Sequence, residues 1–144
     1  MPRSSPRFKI CFNGSPCGVR RALSQIRDEL EAAGATSDQK GRIETVMAEV
    51  LNNVVEHALA DQTNSLVEAH GFRQQPNWCF KVFDAGHPLP QKRLPDQGFP
   101  AVDTNLEDLP EGGFGWAMVH MLTNDISYCR LPGRNCLEFS VPDH

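Results

Sequence analysis

Phe8, Ile10 and Phe12 alternate with Lys9 and Cys11, the period-two pattern of a strand with one buried face. Asn13-Gly14 turns the chain, and Ser15 can cap a helix that opens on Pro16. Val19, Ala22, Leu23, Ile26, Leu30 and Ala33 follow at helical spacing until Gly34 closes the run. Thr36 and Gln39 have the spacing of a capping box. They predict a second helix running to about Leu59, with Ile43, Met47, Val50, Leu51, Val54 and Ala58 on one apolar arc.

The second half of the chain changes period. Leu66 to Phe72 is a weak strand candidate, and Trp78, Phe80 and Val82 alternate with Cys79, Lys81 and Phe83 in a stronger one. Ile126 and Tyr128 begin another strand, Leu131-Pro132-Gly133 turns it, and Leu137, Phe139 and Val141 complete a C-terminal hairpin. Gly115 to Leu122 reads as a short helix. The Pro-, Gly- and Asp-rich stretch before it is longer than an ordinary loop, which predicts a functional lid or mobile segment. Together these elements predict an α+β, two-layer sandwich, with helices on one face of a mainly antiparallel mixed sheet.

Composition narrows the classes. The 144 residues suit a single domain over 1–144, with 1–7 expected as a disordered tail. Hydrophobic residues make up 40% and charged ones 22%, which argues against a disordered chain. No apolar run approaches the roughly 18 residues of a membrane span, and the basic N-terminus leads into no apolar signal region. A net charge of −4 argues against direct nucleic-acid binding. The five cysteines show no C-x-x-C spacing and the five histidines no ligand pattern. Cys11, Cys79, Cys129 and Cys136 lie in or beside strand-like runs, where a buried, reduced thiol in a cytoplasmic protein is expected.

Three places offer chemistry. Glu49, Asn53 and His57 stand at i, i+4 and i+8, on a helix side read as opposite the Ile43, Met47 and Val54 arc. The plain reading is a solvated face. The chemical one is a carboxylate that activates a hydroxyl, one turn from an amide oxygen able to ligate Mg2+. Asp84-Ala85-Gly86-His87-Pro88 follows a strand directly, either as a turn or as an acceptor for an exocyclic amine with Gly86 allowing close approach to a base. Gly112-Gly113-Phe114-Gly115 opens the short helix, where free backbone N–H groups can hold phosphate. It is neither a Walker A motif nor a dinucleotide fingerprint.

In this order the three are far more specific than apart. Glu49 to Ala58 looks like the N box of the histidine-kinase-like (Bergerat-fold) ATPases, Asp84 to Pro88 resembles their first glycine box, and Gly112 to Val119 their second. The short chain, without a dimerisation helix bearing a phosphoacceptor His, is similar to one branch, the anti-sigma factor serine kinases of bacterial partner switching. The resemblance spans about Phe8 to Val141.

The resemblance implies a Bergerat ATP-binding fold, with ATP and Mg2+ as cofactors. It implies Glu49 as the base for a protein serine, Asn53 as Mg2+ ligand between the phosphates, and His57 near the nucleotide. Asp84 would bind the adenine amine above Gly86. Gly112, Gly113, Phe114 and Gly115 would form the phosphate cradle, and residues 89–111 the ATP lid. The implied partners are a sigma factor and a STAS-domain anti-sigma-factor antagonist, in a branch whose members are often homodimers. Two positions depart from the pattern. Pro88 stands where a second Gly is frequent, and Glu111 where some active kinases carry a basic residue. A nucleotide-responsive module that sequesters a partner without kinase activity, and a free-standing ATPase, stay open as alternatives.

Overall fold

Burial in β1 (Phe8–Asn13) follows the alternation: Phe8, Ile10 and Phe12 face inward, and Lys9, Cys11 and Asn13 outward. In this computed structural model, which describes residues 7–59, 65–89 and 113–142, the helical expectations are also met at their ends. α1 (Pro16–Ala32) starts where Ser15 Oγ accepts the Gly18 N–H at 3.0 Å. It stops at Gly34, whose φ of +81° favours a residue without Cβ. α2 (Ser37–Asn53) opens on a complete capping box between Thr36 and Gln39. Helical winding continues to Ala58, as the apolar arc predicts, but residues Val54–Ala58 form a π-helical turn closed by Leu59 N–H on Val54 O at 2.9 Å.

β2 (Leu66–Gln74), β3 (Asn77–Asp84), β4 (Asn124–Leu131) and β5 (Arg134–Val141) complete the sheet, in the order β1-β2-β3-β5-β4. Every pairing among the described strands is antiparallel. α3 (Gly113–Leu122) precedes β4, so the chain passes from β3 to the sheet edge and returns in β5. Inward side chains of the strands meet the buried sides of α1 and α2, and Phe8, Trp78, Phe80 and Phe139 form a connected aromatic group in that core. No helix among the described residues is long and apolar enough to cross a membrane.

Cys11, Cys79 and Cys129 depart from the expected burial. Only Cys136 is buried; Cys79 is half-buried, and Cys11, Cys17 and Cys129 are exposed. Cys11 lies at an outward position of β1, and Cys129 alternates with the more covered Tyr128 and Arg130 along β4. Cys11, Cys79 and Cys129 stand at strand positions facing away from the helices, while Cys136 shares that outward face and is buried there beside Phe83.

Candidate functional site

The end of α2 with its π-turn, the end of β3, the start of α3 and the β4–β5 hairpin enclose a cavity of about 380 Å³. Val50, Val54 and Ala58 supply one wall, Trp116 and Leu137 others, and Asn53, His57, Asp84 and Asn135 bring polar groups to it. The apolar arc of α2 therefore has two uses. Ile43 and Met47 go into the core, while Val54 and Ala58 turn to the cavity beside Asn53. The polar and apolar sides expected to oppose one another thus meet at the end of this helix.

Asp84 is the last residue of β3, paired in register with Asn135 of β5. It is 5% exposed. Its Oδ1 accepts from Asn135 Nδ2 at 2.9 Å and from the Gly86 N–H at 2.8 Å. Burial pushes its carboxyl above the ordinary carboxylate range; the two hydrogen bonds and the Arg130 charge pull the other way without cancelling the shift.

Asn135 is the hub of this corner. Its Nδ2 also donates to His87 O at 2.9 Å, and its Oδ1 accepts from Tyr128 OH and from Arg130 Nη1. Arg130 Nη1 donates to Gly86 O at 2.7 Å, and Tyr128 OH accepts the Leu89 N–H at 3.0 Å. The hairpin thereby holds the segment from Gly86 to Leu89 by two carbonyls and one N–H. Gly86 has a steric reason as well, since a Cβ there would lie 2.2 Å from Ala58 O, the carbonyl that accepts the His87 N–H at 2.8 Å.

On the helix side, Asn53 is half-buried, and its Nδ2 is enclosed without a hydrogen-bond partner among the described residues. An unsatisfied buried amide costs about 1–3 kcal/mol, so this group calls for a partner. His57, though exposed, lines the same cavity. Glu49 is half-buried one turn before Asn53, but it is not part of the cavity lining. Gly113, Phe114 and Gly115 form the first turn of α3, whose Trp116 reaches the cavity, so the helix begins beside it. Gly112 and the expected lid beyond Leu89 lie outside the described residues.

Asn135, Tyr128 and Arg130 were not among the residues expected at the site. A signal for the first exists: the alternation of Leu137, Phe139 and Val141 places residue 135 on the inward face, where an Asn needs partners. Nothing local distinguishes Tyr128 or Arg130 from ordinary strand residues.

The histidine kinase-like ATPase domain family matches residues 12–141 of the chain. A comparison with curated proteins gives no match. Among solved structures, the crystal structure of the RsbU and RsbW domains of Rv1364c from Mycobacterium tuberculosis is similar, with a TM-score of 0.66 and 17% identity. The likeness covers 96% of this chain and 32% of that one, so the chain spans about a third of its length. At that identity the likeness is one of fold, and it accords with helices layered on an open antiparallel sheet, as in Bergerat-type ATPases.

Proposed function

The chain belongs to the histidine kinase-like ATPase domain family, and from that premise we propose that its cavity binds Mg-ATP and that the protein is an anti-sigma factor and serine kinase acting on a STAS-domain antagonist. The observation that carries nucleotide binding is a buried carboxylate acceptor, Asp84, and an orphaned amide, Asn53, lining one apolar cavity. The cavity's size is in the usual range for small-ligand sites, about 300–1,000 Å³. Its apolar walls suit a purine ring, and Asp84 suits the exocyclic amine of adenine. Asn53 suits the phosphate end. Its Nδ2 can donate to a phosphate oxygen, and the flipped amide offers a hard oxygen to Mg2+, which needs only one or two protein ligands.

When bound, Mg2+ neutralises phosphate charge. The chain's own residues do the rest. Val50, Val54 and Leu137 exclude water from the base, and Asp84 fixes its orientation. The first turn of α3 presents unpaired N–H groups to anionic oxygens. Glu49, which forms no hydrogen bond or ion pair among the described residues, accepts the proton of the incoming serine hydroxyl. Phosphoryl transfer needs mainly this positioning and charge neutralisation. The three sequence boxes and their order support the ATPase family, while the branch assignment rests on the resemblance of about Phe8 to Val141 to anti-sigma factor serine kinases.

A second reading, a nucleotide-responsive module without kinase activity, is favoured by the position of Glu49 outside the cavity lining. Incubation with Mg-ATP and a candidate STAS-domain protein, followed by intact mass, separates the two. A phosphate added to a serine of the antagonist supports the kinase. Tight ATP binding without transfer supports the module, and steady phosphate release without an acceptor supports an ATPase. Absence of ATP binding by calorimetry overturns all three.

A further inference from the structure

Cys129 of β4 and Cys136 of β5 stand directly opposite one another in the antiparallel ladder. Opposed residues of such strands keep their Cα atoms about 4.5–5.5 Å apart, inside the roughly 4.4–6.8 Å that a disulfide spans. Their Cβ atoms need only a small inward tilt to reach the spacing of about 3.5–4.5 Å in the bonded form. The two thiols differ in access: Cys129 is exposed, whereas Cys136 is 6% exposed, between Cys129 and Phe83 in the ladder. Their chain neighbours are the residues that fix the cavity's polar corner. Tyr128 and Arg130 flank Cys129, and Asn135 precedes Cys136.

We infer that Cys129 and Cys136 form a reversible modification site, in which a hydroperoxide-class oxidant closes a disulfide across the hairpin and thereby weakens ligand binding in the cavity on the other face of the sheet. The exposed Cys129 meets the oxidant first. Its sulfur takes one oxygen from hydrogen peroxide, giving a sulfenic acid and one water. The Cys136 sulfur then attacks the Cys129 sulfur. The S–O bond breaks, the hydroxide leaves with the Cys136 proton as a second water, and the S–S bond forms. Two thiols are oxidised and one peroxide is reduced to two waters. Burial pushes the Cys136 thiol up, which suits it to the resolving step rather than to the first encounter with the oxidant. The bond draws the strands together on the outer face, and Asn135, one residue away, shifts against Asp84.

The thiol chemistry is independent of the nucleotide reading; the coupling rests on it. The purified chain is treated with hydrogen peroxide, then mapped by peptide mass and by free-thiol titration. The expected result is an intramolecular Cys129–Cys136 disulfide, a fall by two in the titre of five thiols, and full reversal by dithiothreitol. Cys129→Ser and Cys136→Ser each abolish it, while a Cys11→Ser, Cys17→Ser, Cys79→Ser triple variant retains it. Cys129 stopping at sulfenic or sulfinic acid with Cys136 free, a bond to a third cysteine, or a bond between chains overturns the proposal. Calorimetry with Mg-ATP reads the coupling: a several-fold loss of affinity on oxidation, restored by reductant and absent in Cys129→Ser. A disulfide that leaves affinity unchanged overturns the coupling. A reduced protein that does not bind ATP overturns the nucleotide reading and the coupling with it, while the mapped bond still decides the thiol chemistry.

Discussion

Replacing Asp84 by Asn keeps the side-chain volume and the oxygen that Asn135 and Gly86 both use, but removes the negative charge facing the cavity. If Asp84 accepts from an adenine amine, the substitution loses a hydrogen bond to a charged group, worth about 1.5–3 kcal/mol. That corresponds to roughly a 10- to 150-fold rise in Kd for ATP. Stability should move differently. Burial holds the folded-state carboxyl above its ordinary value of 3.8. A group shifted upward helps the fold while protonated, and that help is lost as pH rises through its folded pKa. At neutral pH the ionised Asp84 is thus a net cost to the fold. Relative to the parent, Asp84→Asn should gain stability as pH climbs through that pKa and then level off, with the two converging below the ordinary value. Calorimetric titration with Mg-ATP at neutral pH and thermal melts from pH 3 to pH 8 check both halves. Unchanged ATP affinity would refute the amine-binding role. A variant that melts well below the parent at neutral pH would show instead that the charge itself holds the corner together.

Glu49→Gln should bind Mg-ATP like the parent while serine phosphorylation falls by about 10²–10⁴-fold in single-turnover assays. Asn53→Ala should lower ATP affinity and make it less dependent on Mg2+, read by calorimetry with and without the metal. Gly86→Ala drives a Cβ to 2.2 Å from Ala58 O. Its cost should be about 1–3 kcal/mol, seen as a Tm drop of several degrees and weaker ATP binding. Asn135→Leu strips a donor from Asp84 and an acceptor from Tyr128 and Arg130. It should cost about 2 kcal/mol or more in urea unfolding and move the acid limb of ATP binding to higher pH.

Elements with strong local signals were legible in the sequence. The capping box at Thr36, the Ser15 cap and the alternation of Trp78, Phe80 and Val82 each state a local rule, and each element forms where that rule places it. Asn53 and Asp84 were legible as candidates, and the fold brings both to one cavity. What escaped was relational. The π-turn has no residue type that announces it, so the meeting of polar and apolar sides at Asn53 and Val54 could not be foreseen. Tyr128 and Arg130 acquire their part only through register, which places the hairpin beside the end of β3. Cys11, Cys79 and Cys129 escaped for the same reason, because strand propensity does not say which face will be covered.

The backbone contact at Ala58 has a mechanical corollary. Its carbonyl receives the His87 N–H and leaves no space for a side chain at Gly86. The helix end bearing Asn53 and the turn following Asp84 are therefore bolted together through main chain, without flexible side chains between them. Such a joint acts as a fixed gauge. The separation between the two polar groups is machined into the fold, and accommodation to a ligand of different length falls to the other walls of the cavity.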